Sequence, residues 1–170
     1  MRRWFAIIRI VIRFIAVVDS KLGLANEHGI PWQGQVPTDT AYFRNKTVFG
    51  NVMMGAGWYK EQSKPLPNRK NLVATSDPAE LRPGFQKVND ARKFLQESQE
   101  DIWVGGGAAL FTSVLDLADE IYLTQLDKDF DCTKFFPDFK DKFEKADETA
   151  PQTENGITFT FQIWKPKSKV

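Results

Sequence analysis

The chain is 170 residues long, 42% apolar and 26% charged, with 9 prolines, which suits one domain with a sizeable core and excludes a disordered or low-complexity chain. Its 23 basic and 22 acidic residues leave a formal net charge of +1, so no broad field attracts nucleic acid and none is expected as a partner. Cys132 is the only cysteine, which excludes an intrachain disulfide and a metal site of several thiolates, and a reducing cytoplasm is the simplest compartment.

The start, "MRRWFAIIRIVIRFIAVV", is basic and then apolar, but Arg9 and Arg13 break it into runs far short of the ~20 residues that span a bilayer. Residues 1–11 read as an extension, 12–166 as the domain and 167–170 as a basic tail; membrane contact by the extension is the alternative. "FIAVV" (14–18) is a β-branched run suited to a central strand covered on both faces. The Gly, Asn and Pro-rich stretch from Asp19 to Pro37 follows as a long irregular loop, and loops of this length are often functional. After Pro37, Thr38 is placed to cap a helix in which Asp39 and Phe43 share one face.

"NVMMG" is the next strand, a second helix starts near Ala56, and "PLPNRKNLVATS" supplies a turn and a strand. "NDARKFLQES" carries a helical stripe at Ala91, Phe94 and Leu95; "DIWV" reads as a strand, "AALFTSVLDLA" as a helix and "EIYLTQL" as a strand. This alternation implies a mainly parallel sheet with right-handed crossovers. At the end, "TENG" forms a turn before "ITFTFQIW", whose strict alternation marks an antiparallel hairpin. The expectation is an α/β fold with one mixed, mainly parallel sheet and flanking helices.

In such sheets ligands sit where strands end and helices begin. "MMGAGWY" and "WVGGGAALF" each place glycines at that junction, where a phosphate-bearing cofactor can approach the backbone. Neither is a G-x-G-x-x-G or Walker pattern, and tight turns alone explain each segment as well. Asp39 is a carboxylate at a helix start, a position that the helix dipole favours without any chemistry. Arg69 could bind a carboxylate through its fork, or simply sit exposed in a turn. His28 has no second histidine or cysteine to complete a metal site, and no metal is expected.

Together, "FIAVVDSKLGLANEHGIPW", "PTDTAYFRNKT", "VMMGAGWY", "PLPNRKNLVATS", "DIWVGGGAALF", "EIYLTQLDKDF", "CTKFFPDF" and "FTFQIWK" resemble dihydrofolate reductase, in order and nearly end to end from Ile12 to Lys165. The resemblance implies one domain with an eight-stranded mixed sheet, and NADPH-dependent reduction of 7,8-dihydrofolate to tetrahydrofolate. It also implies a monomer that binds dihydrofolate and antifolate-type small molecules. Asp39, Trp32 and Thr124 take the catalytic places: Asp39 orients the pterin and favours N5 protonation, Trp32 helps hold a water, and Thr124 bonds Asp39. Ile15, Ala16, Phe43, Leu66 and Arg69 join Asp39 and Thr124 in binding substrate, Arg69 through the glutamate tail's carboxylate. Ala16, Leu24, Gly55, Ala56, Gly57, Trp58, Thr75, Ser76, Gly106, Gly107, Ala108, Ala109 and Leu110 take the cofactor places. Gly106 and Gly107 match a glycine pair joined by a cis peptide, and Asp19 to Trp32 match a mobile lid.

The chain departs from the family's usual pattern at several places. Ala56 and Trp58 stand where an arginine and a threonine normally meet the cofactor. Ala25 replaces a lid glycine, Gln62 an apolar residue and Phe111 a tyrosine. Gly105 stands where a large apolar residue usually lines the site, which leaves three candidates to fill that space: Trp58, another core side chain or the ligand itself. Two rival readings are a related pyrimidine reductase of riboflavin synthesis and a non-catalytic nucleotide-binding protein. The first would not need Pro31–Trp32, Asp39 and Arg69 together; the second is motivated by "AGW" and the extension.

Overall fold

A computed structural model of the chain describes residues 9–168; the first eight residues of the expected extension and the last two of the tail lie outside them. Among the described residues, eleven strands and four α-helices follow one another. In chain order these are β1 (Ile12–Val18), β2 (Gly23–Ala25), α1 (Pro37–Thr47), β3 (Asn51–Gly55), α2 (Ala56–Glu61), β4 (Lys70–Ala74), β5 (Phe85–Val88), α3 (Ala91–Glu97), β6 (Ile102–Val104), α4 (Ala108–Val114), β7 (Glu120–Leu126), β8 (Lys134–Phe135), β9 (Phe143–Glu148), β10 (Gln152–Glu154) and β11 (Ile157–Pro166). A short 3-10 turn, Leu115–Leu117, continues α4.

Eight strands hydrogen-bond in the order β10-β11-β7-β1-β6-β3-β4-β5, the expected mixed sheet. Every pairing from β7 through to β5 is parallel; only β11 runs antiparallel to its neighbours. The ninth strand of this sheet, β9, pairs with the far half of β11, so β9 and β10 together act as one broken edge strand. The β10–β11 hairpin turns at Asn155 and Gly156, with φ of 49° and 76°, the double positive φ that a tight hairpin turn requires and that Asn-Gly adopts readily.

β1 is central, so its residues alternate between two buried faces. Phe14 and Val18 enter the main core with Met53, Leu72, Val104, Phe111 and Ile121. Ile15 points the other way, with Val52 and Trp103, onto a layer that includes Tyr42 and Phe43 of α1 and Trp58 of α2. This second layer is the one that faces the site.

Two readings need correction. The helix start at Thr38 shifts to Pro37, which occupies the first turn, while Val36 takes the cap position without a side-chain bond. Glu154 of β10 supplies the missing acceptor, taking the Thr38 N–H at 3.0 Å and its hydroxyl at 2.7 Å. The loop from Asp19 to Pro37 is also not wholly irregular, because β2 within it pairs antiparallel with β8. Among the described residues no helix is long and apolar enough to cross a membrane.

Candidate active site

The two glycine segments, far apart in sequence, meet because β3 and β6 are parallel neighbours. The Gly55 N–H donates to the Gly106 carbonyl at 2.7 Å, and the Gly106–Gly107 peptide is cis. A Cβ on Gly57 or Gly107 would meet nothing within 4 Å, so the backbone there borders open space. That space is a cleft of about 1090 Å³. It runs along the C-terminal ends of β1, β3, β4 and β6, between the loop that follows β1, α1 and the first turns of α2 and α4, where an open parallel sheet is expected to bind ligands.

α1 carries Asp39 into this cleft. Its Oδ1 accepts the Thr124 hydroxyl at 2.7 Å across 85 positions of sequence, and Thr124 itself, on β7, is 2% exposed. Burial pushes the Asp39 carboxyl up to about 6; the Thr124 bond opposes this and the negative charge of Glu154 adds to it. A carboxyl so placed can hold or release a proton near the pH at which enzymes work. Trp32 lines the same cleft and meets Phe130 edge-on at 5.1 Å between ring centres.

Ile15, Ala16 and Phe43 also line the cleft, whereas Leu66 lies behind it, packed with Phe43 and Trp58 against the Ile15 layer. Arg69 does not line the cleft; its guanidinium lies 5.9 Å from the centre of the ring of Phe43, which does. Nε donates to the Pro67 carbonyl at 2.9 Å and Nη1 to the Thr47 hydroxyl at 3.2 Å. Burial and then the neighbouring Arg44 lower its pKa, with no carboxylate among the groups acting on it. The fork is thereby held in place with no carboxylate paired to it among the described residues, as an anion site needs. Leu24, Ala56, Gly57, Trp58, Thr75, Ser76, Ala108, Ala109 and Leu110 line the other arm of the cleft.

A family model described as dihydrofolate reductase matches residues 11–166. The chain belongs to the dihydrofolate reductase family. It is similar to the dihydrofolate reductase of Bacillus subtilis (strain 168), 29% identical over 163 residues that cover 93% of this chain and 96% of that one. It is also similar to that of Buchnera aphidicola subsp. Acyrthosiphon pisum (strain APS), 33% identical over 132 residues covering 76% and 80%. Among solved structures it shares its fold with a dihydrofolate reductase from Enterococcus faecalis complexed with NADP(H) and RAB-propyl, at a TM-score of 0.83 and 22% identity, covering 93% of this chain and 97% of that one.

Against the usual dihydrofolate reductase pattern, the structure resolves what Gly105 leaves open. A Cβ on Gly105 would lie 2.5 Å from Cζ3 of Trp58, so the indole occupies that space. Ala25 lines the cleft and pairs with Lys134 of β8, whose side chain also reaches it. Gln62 does not line it; it ends α2, and its carbonyl accepts from Arg82. Phe111 is buried between Phe14 and Phe136 and touches the cleft from beneath. Sequence reasoning missed Glu154 and Lys134 as parts of the site, and named the stretch from Asp19 to Trp32 only as a whole, without singling out Asn26, Glu27 and Ile30, which line the cleft. The lid had a signal in its composition, whereas Glu154 and Lys134 arrive only through long-range strand pairing.

Proposed function

We propose that the cleft binds dihydrofolate beside NADPH and reduces it, with one proton taken up, to 5,6,7,8-tetrahydrofolate and NADP+. The observation that carries this reading is the half-buried Asp39 carboxyl, poised near 6 and bonded to the buried Thr124 inside a cleft rimmed by glycine.

The residues present suit the cofactor. Open space over Gly57 and Gly107 leaves room against the backbone, first-turn N–H groups have no intrahelical acceptor, and the Thr75 and Ser76 hydroxyls suit a 2′-phosphate. Ala16, Leu24, Gly55, Ala56, Gly57, Gly106, Gly107, Ala108, Ala109 and Leu110 complete its surroundings, with Trp58 between it and the substrate's rings, and because Ala56 brings no charge, the phosphates rest on backbone N–H groups. When bound, NADPH supplies the hydride that pterin C6 accepts.

Asp39 accepts hydrogen bonds from the pterin amino group and ring nitrogen, which fixes the ring's orientation. Thr124 fixes the carboxyl's rotation, and Trp32 holds the water through which N5 gains its proton. Ile15, Ala16 and Phe43 give the ring apolar walls backed by Leu66, and Arg69 pairs with the glutamate α-carboxylate. Leu24 and the lid close over the reacting atoms and exclude water. The same reading takes the enzyme as a cytoplasmic monomer without nucleic-acid or membrane partners, supported by the net charge of +1; light scattering at the mass of 19.4 kDa tests the monomer.

Purified protein is expected to oxidise NADPH only when dihydrofolate is present. Tight NADPH binding without turnover would reject the enzymatic reading.

A further inference from the structure

We infer that Trp58 and Gly105 form one specificity-determining unit, in which the indole stands in for a side chain that β6 does not supply and so sets the width of the cleft open to the substrate's rings. The inference rests on reading the cleft as a dihydrofolate site.

Nothing in the backbone requires glycine at position 105. Its φ is not in the positive range, its N–H donates to the Met53 carbonyl at 2.9 Å, and the three residues before it, Ile102, Trp103 and Val104, form a buried strand. The three atoms nearest a Cβ added there all belong to the Trp58 indole. A Cβ would lie 2.5 Å from Cζ3 and 3.1 Å from Cη2 of Trp58, both atoms of a rigid ring, so even alanine would force the indole to move.

The indole is in turn held from its other side. It meets the Phe43 ring edge-on, with 6.0 Å between centres and 64° between planes, and it packs against the layer of Ile15, Val52 and Trp103. Trp58 therefore reaches from α2 across the end of β6 to α1, and Trp58, Phe43 and Gly105 all border the cleft. It is only half-buried, so part of the ring is open to the cleft that it lines. Its neighbour Gly57 has open space around it, and of the first-turn residues that line the cleft, Ala56, Gly57 and Trp58, only Trp58 is bulky. A flat ring system can lie along an edge-to-face aromatic wall, and this geometry favours planar heterocycles. Either a tryptophan at 58 or a large residue at 105 fits; both together clash, and neither leaves a gap.

Four proteins test this: wild type, Trp58→Thr, Gly105→Ile and the double variant, each assayed for turnover and for unfolding temperature. Trp58→Thr is expected to lower kcat/KM for dihydrofolate about tenfold and Gly105→Ile about 30-fold or more, with the double variant recovering to within about fivefold of wild type. The KM for NADPH is expected to move less than that for dihydrofolate in Trp58→Thr. If Gly105→Ile does not fold, tryptophan emission decides. Dihydrofolate should quench wild type more than Trp58→Phe, and equal quenching would overturn the inference. It is also overturned if Trp58→Thr leaves kcat/KM for dihydrofolate unchanged, or if the double variant is no better than a folded Gly105→Ile. A wild type that fails to reduce dihydrofolate rejects the enzymatic reading and this pair with it, whereas a fully active wild type with additive variants rejects the pair alone.

Discussion

Asp39 is held between opposing influences. Burial and the charge of Glu154 disfavour its carboxylate, and the Thr124 hydroxyl favours it. Removing each partner should move the titration in opposite directions: Thr124→Val upward from about 6 and Glu154→Gln downward. Hydride-transfer rates followed across pH in single turnovers read both shifts, and a profile unmoved in the two variants would count against Asp39 as the titrating group. The same shift acts on stability. A carboxyl raised from 3.8 to about 6 holds its proton more tightly in the folded state. Its contribution is therefore full below the unfolded value and lost as pH rises through the folded one. Asp39→Asn keeps an acceptor for Thr124 and removes the buried charge. It is expected to stabilise the fold by roughly 1–3 kcal/mol at neutral pH and by nothing in acid, measured by chemical denaturation.

The lid depends on one buried side chain at its base. Oδ1 of Asp19 accepts the N–H groups of Lys21 at 2.9 Å and Gly23 at 2.7 Å, while Oδ2 accepts that of Phe130 at 3.0 Å. The first pair shapes the turn out of β1; the last ties that turn to the loop between β7 and β8. Asp19→Asn keeps one oxygen for the turn but aims an amide N–H₂ at the Phe130 N–H. The expected result is about 2 kcal/mol of lost stability, faster hydrogen exchange in both loops and lower kcat/KM; unchanged exchange around Phe130 would contradict it. Elements were legible in the sequence where burial imposes a period. β1, β3, β6 and β7 read as apolar runs because parallel strands bury both faces. β5 was missed because "FQKV" is a four-residue edge strand with one buried position. β2 and β8 are too short to show a period. The site was legible to a similar depth. Asp39, Phe43 and the glycines carry local signals, but Glu154 meets Thr38 across 116 positions. The vacancy at Gly105 could be read, with Trp58 among the candidates to fill it, though not which of them does.

Across the whole molecule, the cleft takes its walls from β1, the lid, α1, α2, the end of β4 and α4, so a ligand there joins elements from both halves of the sheet. NADPH at about 100 times its Kd should add roughly 2.7 kcal/mol and raise the Tm by about 5–10 °C for a chain of this size. No shift at that concentration would mean the glycine-rimmed arm does not hold the cofactor. Nucleotide-induced stability alone suits a binding protein as well as an enzyme, so turnover must separate them. The most direct measurement is dihydrofolate-dependent NADPH oxidation by wild type and Asp39→Asn across pH. The wild type should turn over, with hydride transfer slowing as pH rises through about 6, and Asp39→Asn should be about 100-fold slower or worse at neutral pH without that titration. Full activity in Asp39→Asn, or no turnover in the wild type, would contradict the assignment.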